Sequence, residues 1–342
     1  MRQLEAGHED EQRPGDNRHG APDSWGVWTT KDDMQIPWDQ FLDEVAEAGY
    51  EGIETGPYGY LPTDITTLNL ELERRGLKIP AVTIMVGHLD QVSDRQKIED
   101  SVMAAGVLGA AVGAKYLVLI DDTYRDLNTG ESVAPTHLDE SGWQCLIDTT
   151  HRVADIASEK LGLRTVFHPH AETHIQYENE IEMFLEQTDP SRVSLCFDTG
   201  HHVYAGGDPV SFMRKHHDRI SYIHLKSVDR HILNQVKVED IPMVTATEMG
   251  VFCEPSDGAV DFGDGFSHGY NEIYGHGFPD LKKALEPVGY QKIEVRDQEY
   301  LFAGATLLAA GLTYQSLSFD GAVGQFHDAL YTGFDFKMDS LV

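Results

Sequence analysis

Short apolar runs alternate with amphipathic segments along most of the chain. The apolar runs have strand length and predict β-strands at residues 24–30, 52–56, 78–86, 116–120, 164–170, 193–198, 220–226 and 291–297. The amphipathic segments carry apolar residues at helical spacing and predict α-helices at residues 38–48, 66–75, 95–108, 142–161, 178–187, 208–217 and 279–287. A C-terminal region that contains residues 306–330 follows the last predicted strand.

This order of elements predicts a parallel sheet built from right-handed β-α-β units. Gly49, Gly76, Gly162 and Gly289 stand where the predicted helices end, as helix-capping glycines do. Eight units in about 300 residues predict an α/β fold, a (β/α)₈ TIM barrel, in a single domain over residues 21–342. An open doubly wound sheet is the competing fold, and the missing GxGxxG motif after the first strand disfavours it.

Two segments fall outside the alternation. Residues 1–20 are rich in charge, Gly and Pro, which predicts a disordered tail in which His8 and His19 are solvated. Residues 228–278 are too long for an ordinary connection and predict a rim insertion after strand seven. The insertion could be a lid or partner surface, or a subdomain that only packs against the rim.

Composition narrows the class of protein. A hydrophobic content of 41% suits a soluble globular core, and a net charge of −31 argues against a nucleic-acid partner. We find no apolar run near the ~20 residues of a membrane span and no signal peptide, so we expect no membrane association. The three cysteines are sparse and odd in number, which predicts reduced thiols in a cytoplasmic protein.

Three consecutive predicted strands end in side chains of the kind that bind metals. The run 193–198 ends in Asp198, the run 220–226 ends in His224 and Lys226, and the run 164–170 ends in two histidines. Carboxyl ends of parallel strands are where α/β proteins keep their chemistry. The three ends together therefore predict a metal site at the mouth of the barrel.

Asp198 and His224 are the best candidate ligands, although Asp198 could instead cap the next helix and His224 could be a core imidazole. A third ligand should come from the fifth strand, where His168, His170 and Glu172 compete and another of the three could be a general base. The eighth strand should supply a fourth ligand. Asp297 stands at its predicted end, Glu294 and Glu299 compete with it, and a solvated strand end is the alternative.

Oxygen and imidazole donors without a thiolate suit a divalent metal, Mn²⁺, Co²⁺, Mg²⁺ or Zn²⁺, and Mn²⁺ is the ion we expect. Cys196 is expected to pack inside its strand rather than bind the metal. Lys226 and His201 could contact substrate oxygens, and Lys226 could equally pair with a carboxylate such as Asp198. Glu54 could orient the substrate or bond a loop amide.

Six segments resemble the xylose-isomerase-like TIM-barrel superfamily, and within it the sugar phosphate isomerase/epimerase group that includes inosose dehydratase. They are APDSWGVW (21–28), EAGYEGIETGPYGYLP (47–62), HPHAET (168–173), CFDTGHHVYAGGDP (196–209), HLK (224–226) and GVFCEPSDGAVDF (250–262). The resemblance covers about residues 21–262. It implies a divalent metal held by His168 or Glu172, Asp198, His224 and an acid from strand eight, for which Asp297 and Glu299 are the candidates.

The chain departs from the family at two places. Strand eight reads VRDQE where the family usually shows a valine-glutamate end, and residues 263–278 and the C-terminus after Tyr300 differ from the usual ending. The catalytic subunit of C-glycoside deglycosidases shares the scaffold and works with a small β-subunit. The unusual rim loop and C-terminus would suit such a partner, and we also expect an oligomer.

The resemblance implies one shared first step, in which a metal polarises a carbonyl and a base removes the proton on the adjacent carbon. Loss of a β-hydroxyl makes the enzyme a dehydratase, loss of an aryl carbon makes it a C-deglycosidase acting on a 3-keto-glycoside, and return of the proton makes it an isomerase or epimerase. We expect a lyase acting on a keto-sugar or keto-glycoside, with the isomerase or epimerase as the alternative. His170 is the expected base, His168 and Glu172 divide ligand and acid–base roles, and Lys226 and His201 act on the substrate.

Two other classes of protein share the scaffold. A phosphodiesterase of the endonuclease type would need a basic groove, which the acidic composition disfavours. A non-catalytic barrel that only binds would hold no metal.

Overall fold

A five-stranded parallel sheet in the order β3–β4–β5–β6–β7 forms the centre of the molecule. The structure is a computed structural model that describes residues 19–27, 35–253 and 258–260, and beyond these only the backbone of residues 291–295, 298–302, 313–314 and 326–327. The strands of the central sheet are β3 (Ala81–Met85), β4 (Tyr116–Ile120), β5 (Arg164–Phe167), β6 (Val193–Asp198) and β7 (Ile220–His224). The apolar runs of β4, β5 and β6 are buried on both faces, as in parallel sheets covered by helices, whereas the residues of β7 are partly exposed.

A short parallel pair extends this sheet beyond β3. β1 (His19–Gly20) pairs with β2 (Gly52–Ile53), and Gly52 in turn bridges Lys78 just before β3. A Cβ atom at Gly52 would lie 2.5 Å from the Lys78 carbonyl oxygen, so only glycine permits this approach. Seven strands therefore follow one another in parallel order.

Helices cover the sheet with their apolar faces. They are α1 (Trp38–Glu47), α2 (Ile65–Arg75), α3 (Arg95–Ala111), α4 (Glu140–Ile156), α5 (Glu178–Gln187), α6 (Thr199–Tyr204) and α7 (Pro209–His216). Phe41, Leu42 and Val45 of α1 are fully buried, which confirms the face predicted for this helix. Gly49, Gly76 and Gly162 have the positive φ of helix-terminating glycines, and Gly289 lies outside the described residues.

The first predicted strand is wrong. Residues predicted as a strand at 24–30 begin in a 3₁₀-helix, Pro22–Trp25, and residues 28–34 lie outside the described part. The first strand is instead His19–Gly20, inside the segment predicted as a disordered tail, and His19 is half-buried rather than solvated. His19 and Gly20 show no apolar pattern from which a strand could be predicted, because backbone hydrogen bonds alone pair them with β2. The rest of the tail, residues 1–18 with His8, lies outside the described residues.

The described part of the predicted rim insertion is an ordered unit. β8 (Ser227–Val228) pairs antiparallel with β9 (Phe252–Cys253), and α8 (Arg230–Glu239) and α9 (Met243–Glu248) lie between them. Its apolar residues form a separate cluster with Ala171 and Tyr204, which follow β5 and β6. This packing favours the alternative of a subdomain that packs against the rim, and a role as lid or partner surface stays a prediction.

Residues Gln291–Val295 (β10), within the predicted eighth strand, are a strand, but among the described residues they pair antiparallel with β11 (Gln298–Phe302) instead of continuing the parallel sheet as predicted. A second short pair joins β12 (Thr313–Tyr314) to β13 (Phe326–His327). Asp297 and the predicted helix at 279–287 lie outside the described residues, and of Glu294 and Glu299 only the backbone is described. Within the described residues, no helix has the length and apolarity needed to cross a membrane. The domain limits stay a prediction.

Candidate active site

The turn after β6 joins the ends of β6 and β7. The hydroxyl of Thr199 donates to the Lys226 carbonyl oxygen at 2.7 Å and accepts from the Lys226 amide at 3.1 Å. A Cβ atom at Gly200 would lie 2.4 Å from Cβ of Lys226, so the DTG sequence lets the two strand ends approach closely. The turn therefore fixes Asp198, His201 and Lys226 relative to one another.

Asp198 uses its two carboxylate oxygens differently. Oδ1 accepts a hydrogen bond from the His201 amide at 2.8 Å and caps α6. Oδ2 is buried and makes no well-directed hydrogen bond among the described residues, but the Lys226 ammonium group lies 3.3 Å from it. Burial alone would raise the pKa of Asp198, but Lys226, His201 and His168 outweigh it and hold the pKa well below its usual range. Asp198 therefore both caps a helix and presents an anionic oxygen.

Two imidazoles face that oxygen. Nε2 of His168 lies 3.6 Å from Asp198 Oδ2, and Nδ1 of His224 lies 3.7 Å from the same atom. The two rings are 4.7 Å apart between centroids, and His168 is 2% exposed. Donors on one divalent ion at ~2.0–2.2 Å each lie about 3–3.5 Å apart, so each nitrogen is within a few tenths of an ångström of the separation from Oδ2 that a shared cation would give. The anionic oxygen between two imidazoles fits such a cation.

Glu54 orients His224 from the opposite side. Its Oε1 accepts a hydrogen bond from His224 Nε2 at 2.6 Å, and its Oε2 accepts one from the Thr83 hydroxyl at 2.8 Å. Burial would raise the pKa of Glu54, but His224 overrides it and lowers the pKa to about 2. A carboxylate on the outer nitrogen of a metal-binding histidine fixes the tautomer, which here leaves Nδ1 facing Asp198. The interpretation of Glu54 as a partner of a loop amide is therefore replaced by contact with His224.

The His224 ring is highly basic in this environment. Burial opposes protonation, yet Cys196 and Glu54 raise the pKa of His224 well above its ordinary value. Glu54 is the physical source, because burial raises the pKa of Cys196 to about 11 and keeps that thiol neutral. Cys196 is fully buried in β6 as predicted, although its Sγ lies in one group with nitrogens of His168 and His224.

Lys226 and His201 contact each other next to Asp198, at the turn that leads into α6. Lys226 Nζ is 3.3 Å from Asp198 Oδ2 and 3.3 Å from His201 Nε2. Burial lowers the pKa of Lys226, but Asp198 and Asp23 more than compensate and raise it, so its ammonium group stays charged. Burial, with the neighbouring His170 and Lys226, lowers the pKa of His201 well below its usual value. The site therefore offers one fixed cation beside a neutral imidazole.

The His170 ring lies against the His201 ring, with centroids 3.8 Å apart and ring planes tilted by 40°. Its Nδ1 donates to the Ala171 carbonyl oxygen at 2.8 Å in the neutral tautomer, which leaves Nε2 as a lone-pair acceptor. Burial and the positive charges of His168 and Lys226 lower the pKa of His170 to about 3. His170 is therefore unprotonated at neutral pH.

Glu172 is not brought to this cluster. β5 ends at Phe167, and the chain turns at Glu172 with a φ of 61°. The Glu172 carboxylate accepts from the Met243 amide at 2.9 Å and lies 3.7 Å from Arg125 Nε. The prediction of Glu172 as a metal ligand assumed strand-like alternation through His170 and Glu172, and the turn breaks that alternation. The structure places His168 beside Asp198 and His224 instead.

Of the nine predicted site residues, the structure brings six together, namely His168, His170, Asp198, His201, His224 and Lys226. Asp297 and the side chain of Glu299 lie outside the described part. The sequence reasoning did not single out His88, Asp90, Asp121 and His174, which form a second group of potential ligands. The same rule of polar residues at strand ends, applied to β3 and β4, would have found three of them.

Comparison with known proteins agrees with this geometry. The sequence model of the family described as xylose isomerase-like TIM barrel matches residues 42–296. This chain belongs to the xylose isomerase-like TIM barrel family. The family match confirms the predicted α/β fold class and the resemblance on which the sequence-based hypothesis depended.

Curated relatives of this TIM barrel are inosose dehydratases. One from Geobacillus kaustophilus strain HTA426 is 33% identical over 254 residues, which cover 71% of this chain and 79% of that protein. One from Bacillus anthracis strain CDC 684 is 31% identical over 264 residues, covering 74% and 85% of the two chains. A solved structure described as the probable 3-DHS dehydratase AsbF from Bacillus anthracis is 14% identical, with a TM-score of 0.55 over 72% of this chain and 86% of that one. The last comparison supports the fold alone.

These relatives support an enzyme of the dehydratase kind that acts on a sugar-like small molecule. The finer expectations stay predictions: manganese as the metal, a C-glycoside substrate, a small second subunit, an oligomer and a cytoplasmic location. The ligand and catalytic roles of the individual residues are taken up as proposals below.

Proposed function

We propose that this chain is a metal-dependent carbon–oxygen lyase that dehydrates a keto-inositol or a related keto-sugar. The observation that carries the proposal is the buried Oδ2 of Asp198, which lies 3.6 Å from His168 Nε2, 3.7 Å from His224 Nδ1 and 3.3 Å from the Lys226 ammonium group. Lys226 offsets the charge of the carboxylate, and the two imidazole nitrogens at the same oxygen are the further donors that a divalent ion would need. The names of the curated relatives supply the substrate class.

His168, Asp198 and His224 would hold the divalent ion, and a strand-eight acid, Asp297 or Glu299, is the proposed fourth donor. Two nitrogens and a carboxylate oxygen suit Mn²⁺, Co²⁺ or Zn²⁺. When bound, the ion would polarise the substrate carbonyl and lower the pKa of the adjacent C–H bond. The Glu54 carboxylate would keep His224 in the ligating tautomer.

His170 is the proposed general base. Its unprotonated Nε2 accepts the proton from the carbon next to the carbonyl, because Nδ1 is engaged with the Ala171 carbonyl oxygen. Burial, with His168 and Lys226 nearby, lowers the pKa of His170 to about 3, which keeps this nitrogen unprotonated at neutral pH but also makes it a weak base. Replacing the ring by glutamine would remove the proton acceptor while keeping a polar side chain of similar reach.

Lys226 and His201 are proposed to act on the leaving group. Elimination breaks the bond between the β-carbon and its hydroxyl oxygen, a carbon–carbon double bond forms, and the hydroxyl departs as water with the proton that His170 has taken from the adjacent carbon. The Lys226 ammonium, buried beside Asp198, would offset the negative charge that develops on the departing oxygen. His201, 3.3 Å from Lys226 Nζ, would help to fix that ammonium group.

The test is a screen of keto-inositols and keto-sugars in which mass spectrometry detects loss of one water. Wild type loaded with Mn²⁺ should form the dehydrated product, a chelator should abolish this, and His170→Gln should lower kcat by about 10²–10⁴-fold with its metal retained. Solvent deuterium that enters recovered substrate without elimination would contradict the lyase and favour an epimerase. Activity that survives complete removal of metal would contradict the metal dependence.

A further inference from the structure

Four side chains outside the proposed active site converge at the carboxyl ends of β3 and β4. His88 and Asp90 follow β3, Asp121 follows β4, and His174 lies in the loop after β5. One potential ligand atom from each lies within 4.8 Å of the other three. None of the four is among the residues proposed to hold the ion at Asp198, so the group is a separate cluster, here called the β3–β4 cluster.

Hydrogen bonds fix two of the four side chains. Asp121 Oδ1 accepts from the Leu89 amide at 2.8 Å, while its Oδ2 lies 2.8 Å from His174 Nδ1. The other ring nitrogen of His174, Nε2, donates to the Pro135 carbonyl oxygen at 3.0 Å. Because Nε2 is engaged with the backbone, Nδ1 is the nitrogen that faces the cluster, as in histidines that ligate metals.

The other two side chains carry polar atoms without a hydrogen-bond partner in the part of the chain that the structure describes. Nδ1 of His88 and Oδ1 of Asp90 are both buried, and no described residue hydrogen-bonds to either. The Asp90 side chain is only 6% exposed, and its Oδ1 lies 3.9 Å from His174 Nδ1. A buried oxygen without a donor lowers the free energy of unfolding, and a charged oxygen lowers it more than a neutral one. A lone pair on nitrogen and an anionic oxygen need a positive partner or a donor.

We propose that the β3–β4 cluster binds a structural Zn²⁺ ion through His88, Asp90, Asp121 and His174. Two imidazole nitrogens and two carboxylate oxygens form a donor set that suits tetrahedral zinc. Donor atoms of such a site lie ~3.4 Å apart, between the 2.8 Å and 3.9 Å separations of His174 Nδ1 from the two carboxylates. The ion would satisfy both unpartnered atoms at once.

The ion would have a structural role because the chain itself supplies four donors and leaves no position for a substrate. It would tie together the segments that follow β3, β4 and β5, and through Pro135 also the loop that leads to α4. These segments lie at the same edge of the sheet as His168 and His170. Zinc in the β3–β4 cluster would therefore stabilise the wall of the active site without entering the reaction.

The experiment counts zinc in the purified full-length chain after dialysis against Zn²⁺ and then against metal-free buffer. Three double variants are compared with wild type: His88→Gln with Asp90→Asn, Asp198→Asn with His224→Gln, and, as a matched control, His217→Gln with Asp218→Asn. The control removes one imidazole and one carboxylate from the exposed surface. We expect the first variant to lose one zinc per chain relative to wild type and the control to lose none.

The Asp198→Asn/His224→Gln chain separates this proposal from the proposed function. One zinc retained there, together with a higher Tm when zinc is added, supports the β3–β4 cluster even if the active-site metal proves wrong. If the His88→Gln/Asp90→Asn variant does not fold, the zinc content of the Asp198→Asn/His224→Gln variant still tests the proposal, because its β3–β4 cluster is intact. No zinc in this chain, or an unchanged count after His88 and Asp90 are replaced, would overturn the proposal.

Discussion

The position of a single carboxylate, Glu54, decides how His224 can act. Its hydrogen bond to His224 Nε2 at 2.6 Å leaves Nδ1 facing Asp198. Glu54→Gln keeps the shape but removes the charge, so we expect metal affinity to fall about 10–100-fold, as for other outer partners of ligating histidines. Competition with a chromophoric chelator measures this. Glu47→Gln, at the exposed end of α1, is the control, and equal affinities in the two variants would refute the role of Glu54.

His202 is a buried histidine next to the site that takes no part in it. Its ring packs against Phe197 and Phe212, and burial lowers its pKa to about 4, against a smaller opposing effect of Asp208. Between pH 6.5 and about 4 the unfolded chain binds a proton that the folded chain refuses, so this residue makes stability fall as the pH falls.

We therefore expect the free energy of unfolding of wild type to lose on the order of 2 kcal/mol through His202 as the pH drops across that window. Urea unfolding of wild type and His202→Gln at pH 7 and pH 4.5 measures the difference. The variant should show a smaller loss than wild type. The same pH dependence in both chains would show that His202 is protonated in the fold.

At the scale of the elements, the turn formed by Asp198, Thr199 and Gly200 controls how closely the ends of β6 and β7 approach each other. A methyl group at Gly200 would lie 2.4 Å from Lys226 Cβ, and the neighbouring Thr199 bonds both backbone groups of Lys226. Gly200→Ala should therefore cost about 1–3 kcal/mol of stability and weaken metal binding as well. Gly142→Ala in the first turn of α4, where the nearest atom would lie at 3.3 Å, is the control. Unchanged Tm and affinity in Gly200→Ala would contradict this account of the turn.

Glu172 joins two elements rather than binding the active-site metal. Its carboxylate accepts from the first amide of α9 and lies near Arg125. Glu172→Ala should leave the metal content unchanged but loosen the insertion, so that a protease cuts the segment between α8 and α9 faster. A loss of metal as large as in Asp198→Asn would instead support the prediction that Glu172 is a metal ligand.

Particular elements show which parts the sequence could predict. β4, α5 and β6 form over the predicted residues because each is a continuous apolar or amphipathic run with a polar end. Asp198 and His224 were found because a strand end fixes where its last side chain lies. Glu172 was misplaced because a positive φ five residues beyond β5 cannot be read from alternation. The contact between Glu54 and His224 joins residues 170 positions apart, and no local pattern encodes it.

At the scale of the molecule, the fold collects side chains from distant strands at one edge of the sheet. The ends of β5, β6 and β7, with Glu54 after β2, form the proposed active site, and those of β3 and β4 form the β3–β4 cluster. Both sites follow from the same property of a parallel sheet, namely that every strand ends at the same edge. The net charge of −31 makes divalent cations favourable partners of the chain as a whole.

The most direct test of the central claim is a crystal structure of the full chain grown with Mn²⁺, with diffraction data collected for the anomalous signal of manganese. The account predicts an anomalous peak about 2.0–2.3 Å from Asp198 Oδ2, His168 Nε2 and His224 Nδ1. Crystals that contain manganese but show no peak among these three atoms would contradict it.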